Sequence, residues 1–474
     1  MANVLLYILC VWIVTQDDLL VLYSSDYTVS YLKGLINNMS KVVKFGGSSL
    51  ASAEQFKKVG DIIRADETRK YVVPSAPGKR FSDDIKVTDM LYGCYALAEA
   101  GKNFSKELAA IKARYQEIID GLGLKLSLDD EFKTVEKNFK AKAGKDYAAS
   151  RGEYLNGIVM ADYLGYNFID AAEVIFFDEN GTFDAEKTHA VLSARLEKEN
   201  RAVIPGFYGA NPDGTVRTFS RGGSDVTGSI VAKAAKVDLY ENWTDVSGFL
   251  VADPRIIKNP EVITTITYKE LRELAYMGAS VLHEDAIFPV RQAGIPINIR
   301  NTNAPQDAGT LIVKSTCHTP EYVITGIAGT KGFVAVNIEK DMMNSEIGFG
   351  RKVLSVFEEN GISFEHMPSG IDTMTIFVDQ KEFESKEQTV LAGIQRAVKP
   401  DTVELESDLA LIAVVGRGMK STRGTAGRIF SALAHAKVNV KMIDQGSSEL
   451  NIIIGVSNCD FEAAIKAIYD TFVS

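Results

Sequence analysis

The chain has 474 residues, 46% of them hydrophobic and 24% charged, a balance that suits a globular protein with one large domain and one or two small ones. Its formal charge is −10 and it carries no long Lys/Arg run, which argues against nucleic acid or an anionic membrane as the main partner, so any anion must be held by a local site. Four scattered cysteines without Cys-x-x-Cys spacing fit free thiols in a reducing cytoplasm, and five dispersed histidines without His-Glu-x-x-His predict no metal held by the protein itself.

The first 38 residues form a segment of their own. Residues 4–14 are continuously apolar, yet too short for a span of about 20 residues and without the basic flank of a signal peptide. Met39 stands directly before the first clear strand, so residues 1–38 read as an extension from a misassigned start; the rival reading is a membrane-seeking anchor.

Lys41-Val42-Val43-Lys44-Phe45-Gly46-Gly47-Ser48-Ser49 then reads as a short apolar strand that ends in one lysine and a glycine pair before a helix. Glycines let backbone approach an anion, helix-start N–H groups point at it, and lysine supplies a point charge. The spacing is not that of a Walker A loop. From here to Val313, strand-like runs (Tyr71–Val73, Asn167–Ile169, Ala202–Ile204, Val237–Tyr240, Pro296–Ile299, Thr310–Val313) alternate with helical ones such as Thr88–Ala100 and Gly152–Leu164. The alternation predicts an α/β/α sandwich with a mostly parallel sheet over residues 39–315, its ligands gathered at the carboxyl ends of the strands. A second glycine turn, Phe219-Ser220-Arg221-Gly222-Gly223-Ser224-Asp225, opens a helix expected from Val226 to Lys236 and reads as the other wall of one site.

Beyond residue 315 the pattern changes. Residues 333–378 overlay 409–454 without a gap at an offset of 76, so that Val353, Leu354, Phe357 and Ile362 fall on Ile429, Phe430, Leu433 and Val438. Each copy reads strand, helix, strand, strand, with a further helix after it (Phe383–Val398; Phe461–Phe472), a ferredoxin-like βαββα unit present twice, at 316–400 and 401–474. Two small copies beside a large α/β domain read as a sensor attached to a catalyst, or as a device for oligomerisation.

The polar groups at strand ends and helix starts suit phosphoryl transfer, which asks for positive charge on the moving phosphate and fixed alignment rather than covalent participation. Lys44 supplies the charge, Arg221 suits a carboxylate clamp, and Asp225 suits orienting Lys44 or taking a proton. Each residue also has a structural use: Ser224 or Asp225 as a helix cap, Glu153 as a first-turn carboxylate, Asp253-Pro254 as a turn.

Lys44–Ser49, Arg221–Asp225, Trp243-Thr244-Asp245-Val246, Asp253-Pro254-Arg255 and Gly278-Ala279-Ser280-Val281-Leu282-His283, in that order, resemble the signature blocks of the amino-acid kinase fold and, within it, the aspartate kinases. The doubled tail resembles their paired ACT regulatory domains. The resemblance implies ATP-dependent phosphorylation of the aspartate side-chain carboxylate, with ATP and Mg2+ as the substrate complex, in a cytoplasmic, monofunctional enzyme of lysine, threonine and methionine synthesis. It implies that Lys44 stabilises the transferred phosphoryl group and that Asp225 organises the lysine. It further implies that Thr88, Glu153, Arg221 and Ser224 hold aspartate, with Glu153 near the ammonium. Gly46, Gly47, Ser48, Thr244, Asp245, Leu250, Arg255, Ser280 and Val281 would line the nucleotide site. An end-product amino acid, lysine or threonine, would bind between ACT units of paired subunits at Met343, Gly348, Phe349, Ser363, Phe364 and Glu365, implying a homo-oligomer. Core packing is the competing role for Phe349 and Phe364. Two positions depart from the family: Ser280 stands where many members have lysine, leaving Lys258 or Lys79 to make up the charge, and Leu250 stands where many have tyrosine.

Overall fold

The computed structural model describes residues 39–220, 222–279, 282, 284–316 and 322–473. Residues 1–38, for which an extension or an anchor was expected, lie outside the described residues, as do Arg221, Ser280, Val281, His283 and Cys317. No helix among the described residues is long and apolar enough to cross a membrane.

The strands of the first region are β1 (Lys41–Phe45), β2 (Arg69–Pro74), β3 (Asn167–Phe168), β4 (Ala202–Val203), β5 (Tyr208–Ala210), β6 (Val216–Thr218), β7 (Leu239–Thr244), β8 (Thr265–Thr267), β9 (Ile297–Asn301) and β10 (Thr310–Val313). Eight of them form one sheet in the order β3-β4-β2-β1-β7-β9-β10-β8, while β5 and β6 make an antiparallel ribbon. All sheet neighbours run parallel except β9 and β10, so the expected mostly parallel sheet is what the chain forms. Burial on both faces explains the near-continuous apolar strands. Val42, Val73 and Tyr240 enter one core layer; Val43, Phe45, Val72 and Trp243 enter the other. The chain builds from β1 outward to β2 and β4, then returns to β7 on the other side of β1. That reversal opens a crevice at the carboxyl ends of β1 and β7.

Several boundaries move, each for a local reason. The helix expected from Val226 begins at Gly223 and ends at Ala234. It closes through Lys236 at φ 51°, with the Val237 N–H bonded to the Ala232 carbonyl, so β7 starts at Leu239 rather than Val237. The helix read from Phe383 to Val398 is two helices, Gln380–Glu384 and Glu387–Val398. The helix read from Gly152 starts about two turns earlier, at Lys145.

The carboxy-terminal part forms a second, wholly antiparallel sheet from β11 (Gly326–Glu339), β12 (Phe364–His366), β13 (Thr373–Asp379), β14 (Thr402–Val415), β15 (Val440–Asp444) and β16 (Asn451–Ser457), in the order β12-β13-β11-β14-β16-β15. The doubled unit is plain: helices Phe349–Glu359 and Thr425–His435 stand 76 residues apart, as read from the sequence. The copies are nevertheless interleaved. The first half of β11, Gly326 to Lys331, pairs with the end of β14 in the second copy, and the start of β14, Thr402 to Glu406, pairs with the second half of β11 in the first. Each copy thus has one strand more than the five elements its own stretch supplies.

The outermost strands of a flat six-stranded sheet would lie about 24 Å apart, yet His366 on β12 is 2.8 Å from Asp444 on β15, so the sheet is strongly curled. The first copy has its own core, built on Val336, Phe349 and Phe357. That of the second, with Ile327, Leu411 and Ile454, is continuous with one layer of the large sheet.

Candidate active site

Alternation along β1 turns Val43 and Phe45 into one layer and Lys44 to the opposite face, at the carboxyl end where the strand leaves the core. Lys44 is only 8% exposed. Its Nζ lies 2.7 Å from Asp225 Oδ1 and 3.4 Å from Asn242 Oδ1, and Asn242 Nδ2 donates to the same Asp225 Oδ1 at 2.7 Å. Asp225 stands in the first turn of helix Gly223–Ala234, which opens from Gly222 at φ 56°. A Cβ on Gly223 would lie 2.2 Å from Phe207 Cδ2, so the turn closes only over glycine. Asn242 stands directly opposite Lys44 in the β1–β7 register.

The glycine pair after β1 divides in role. Gly46 has room for a side chain, whereas a Cβ on Gly47 would meet the Ala76 carbonyl at 2.8 Å, and Gly78 donates its N–H to the Gly47 carbonyl at 2.8 Å. The two loops are therefore packed backbone to backbone. The second is pinned from behind by Arg114, which donates to the Gly78 carbonyl and to Asp84. Ser48 is exposed within the short turn that follows β1.

Glu153, on helix Lys145–Leu164, is 6% exposed and hydrogen-bonded to the Ala76 backbone. Burial pushes its carboxyl up to about 8, against the opposing pull of backbone hydrogen bonds and the Arg151 charge. Its Oε2 has no hydrogen-bond partner among the described residues. Gly152 brings this helix against Ala76, and the Cβ it lacks would lie 3.7 Å from Thr88 Oγ1, so Thr88 packs beside the residue that precedes Glu153. Ser224 is buried, with its Oγ against Gly206. Arg221, the expected carboxylate clamp, is outside the described residues, next to Gly222 in the chain.

Thr244 ends β7 and Asp245 is exposed beyond it. Leu250 bridges to Val262, and Arg255 is 87% exposed in a fork with Asp253. Of the two lysines considered for the missing charge, Lys258 is exposed and Lys79 donates to the Ser82 carbonyl. In the first carboxy-terminal copy, Met343 and Phe349 are core residues, Gly348 (φ 82°) starts helix Phe349–Glu359, Ser363 and Phe364 are exposed on the edge, and Glu365 accepts a hydrogen bond from Tyr276.

Sequence reading missed Asn242. Its signal was there: Glu241 and Asn242 are two polar residues in the middle of a strand buried on both faces, and such groups need partners. Glu241 finds Arg69, Lys41 and Trp243 on the opposite face from the site.

Residues 39–301 match the amino acid kinase family, and residues 412–472 match an ACT domain. Aspartokinase 3 of Bacillus subtilis is 40% identical over 447 residues, 91% of this chain and 98% of the relative. The crystal structure of Clostridium acetobutylicum aspartate kinase, an allosteric enzyme, is 52% identical with a TM-score of 0.84, covering 92% of this chain and 100% of that one. Escherichia coli aspartokinase III, solved with aspartate and ADP, has a TM-score of 0.68 at 23% identity over 91% of this chain and 99% of that one, a likeness of fold alone.

Proposed function

We propose, from the premise that this chain belongs to the amino acid kinase family and is an aspartate kinase with ACT regulatory domains, that its reaction is centred on Lys44 at the β1–β7 crevice. The enzyme transfers the γ-phosphoryl group of ATP to the side-chain carboxylate of L-aspartate, giving 4-phospho-L-aspartate and ADP. The acceptor is already an anion at neutral pH and brings no proton, so no general base is needed. What opposes the reaction is repulsion between an incoming carboxylate and a polyanionic phosphate chain. Fixed positive charge answers it.

The observation that carries this reading is the lysine at the carboxyl end of β1, paired with Asp225 at 2.7 Å. Lys44 stabilises the moving phosphoryl group, and Asp225, with no proton to take from the acceptor, orients Lys44. Glu153 receives the substrate ammonium on its unpartnered Oε2, with Thr88 and Ser224 beside it and Arg221 on a carboxylate. Gly46, Gly47, Ser48, Thr244, Asp245, Leu250, Arg255, Ser280 and Val281 serve the nucleotide. Magnesium enters with the phosphates, a mode that asks few protein ligands. Met343, Gly348, Phe349, Ser363, Phe364 and Glu365 bind an amino-acid effector, lysine or threonine, against a second copy of the chain.

Trapping the acyl phosphate as its hydroxamate tests the assignment. Wild type with aspartate and MgATP forms hydroxamate, and Lys44→Ala lowers kcat by about 10²-fold or more. Nucleotide binding without hydroxamate formation by the wild type would overturn the reading.

A further inference from the structure

We propose that Asn242 is a positioning residue for phosphoryl transfer, closing a ring with Lys44 and Asp225 that fixes the lysine ammonium while leaving one of its N–H groups for a phosphoryl oxygen. The inference rests on the role given to Lys44 above. The ammonium has three donors. It is ion-paired with Asp225 Oδ1 at 2.7 Å and gives one donor to Asn242 Oδ1 at 3.4 Å. Asn242 then returns its Nδ2 to Asp225 Oδ1 at 2.7 Å. A primary amide does both jobs from one planar group at every pH, an acceptor toward the cation and a donor toward the carboxylate. Reversing the amide would set NH2 against NH3+ and oxygen against oxygen.

The backbone templates the ring. Asn242 and Lys44 are register partners on adjacent parallel strands, so their Cβ atoms leave the sheet side by side. Asn242 is 3% exposed, which raises the strength of each bond and the penalty for leaving any partner unmade. The ring matters when phosphate arrives. A polyanion draws the ammonium toward itself and repels the Asp225 carboxylate. An Asp225 tethered only to Lys44 would be displaced with it, whereas one also held by Asn242 Nδ2 keeps Lys44 on its line of approach.

Position 242 faces Lys44 on β1 and Asp225 on the helix, and its β9 partner is the apolar Ile299. Glu241, with Arg69 and Lys41, points to the other face. Two near-isosteric substitutions separate positioning from packing. Asn242→Leu keeps the volume and deletes both bonds; at saturating substrates its kcat should fall about 10- to 100-fold, with the aspartate KM within about threefold of wild type. Asn242→Asp places a second carboxylate against Asp225. Two adjacent carboxylates hold a shared proton at raised pH, and the protonated acid offers the same C=O acceptor and one O–H donor that the amide offered.

The ratio of Asn242→Asp to wild-type kcat should therefore climb at least about fivefold between pH 8 and pH 6. A role in packing alone gives a flat ratio. With Lys44→Ala inactive in the same hydroxamate assay, Asn242→Leu within twofold of wild-type kcat, or a flat Asn242→Asp ratio, would overturn the positioning role. Activity that survives in Lys44→Ala would overturn the underlying assignment of Lys44 instead. Where Asn242→Leu fails to show the wild-type circular dichroism and melting transition, the pH ratio of the polar variant decides.

Discussion

Burial holds the Glu153 carboxyl at about 8 before any substrate arrives, so at neutral pH the free enzyme carries it largely protonated, and the role proposed for it, receiving the substrate ammonium, would require it to give that proton up. The aspartate KM should accordingly fall close to tenfold per pH unit from about pH 6 to pH 8 and then level, as the acceptor form becomes populated. Glu153→Gln should flatten that profile and raise the KM about tenfold or more; an unchanged KM would remove Glu153 from the substrate site. The same group acts on stability. Its ordinary value is 4.5 and its folded value is raised to about 8, so the folded chain holds a proton the unfolded chain has lost between those limits. Its contribution is full below about 4.5 and is lost as pH rises through about 8. At this scale the sequence was legible where glycine announced chemistry: Lys44 precedes, and Asp225 follows, a turn that only small residues close. Asn242 was legible only as a buried polar residue in need of a partner; that the partner is Lys44 was not, because nothing local says that β7 returns to β1.

Helix Tyr268–Tyr276 begins with a reciprocal cap, in which Thr267 and Glu270 exchange hydrogen bonds. Glu270 is fully buried and does more than cap. Thr325 Oγ1 donates to it at 2.6 Å, the Arg417 backbone N–H at 2.9 Å, and Arg417 Nη1 at 3.1 Å, so one carboxylate ties the kinase region to both strands at one end of the β11–β14 pair. Against the penalty of burial, the hydrogen bonds from Thr325, from Thr267 and from the Arg417 backbone hold its carboxyl below the ordinary range. The same helix reaches the regulatory sheet through Glu273, bonded to Asn451, and through Tyr276, bonded to Glu365. Glu270→Ala strips the Arg417 guanidinium of its carboxylate and the helix start of half its reciprocal cap, and should cost about 3 to 5 kcal/mol. Thermal unfolding checks it, and a loss under 1 kcal/mol would show the hub to be dispensable. The Thr-x-x-Glu cap is readable in the sequence; that Arg417, nearly 150 positions on, completes it is not, since the pairing arises from tertiary contact alone.

Over the whole molecule, the repeat was legible because its helices and core positions recur at one spacing, while the exchange of strand segments was not, because pairing between distant strands leaves no local mark. The exchange makes a prediction. A chain cut after residue 400 loses β14, and with it the partner of β11 along most of its 14 residues. Limited proteolysis of such a chain should cleave throughout 326–398 at rates typical of unfolded segments; a protected fragment holding residues 333–398 would contradict the shared-strand architecture. Near the middle of β11, Gly332 takes φ 97° and the β11–β14 register shifts between Lys331 and Phe333 and again between Phe333 and Ala335. Irregularities of this kind increase the local right-handed twist. A strand whose two halves serve two sensors cannot slide in one without sliding in the other, and a slip of one residue would turn every core side chain outward. The joint at Gly332 leaves rotation as the soft coordinate, so a push on the first unit would reach the second as torque rather than as displacement.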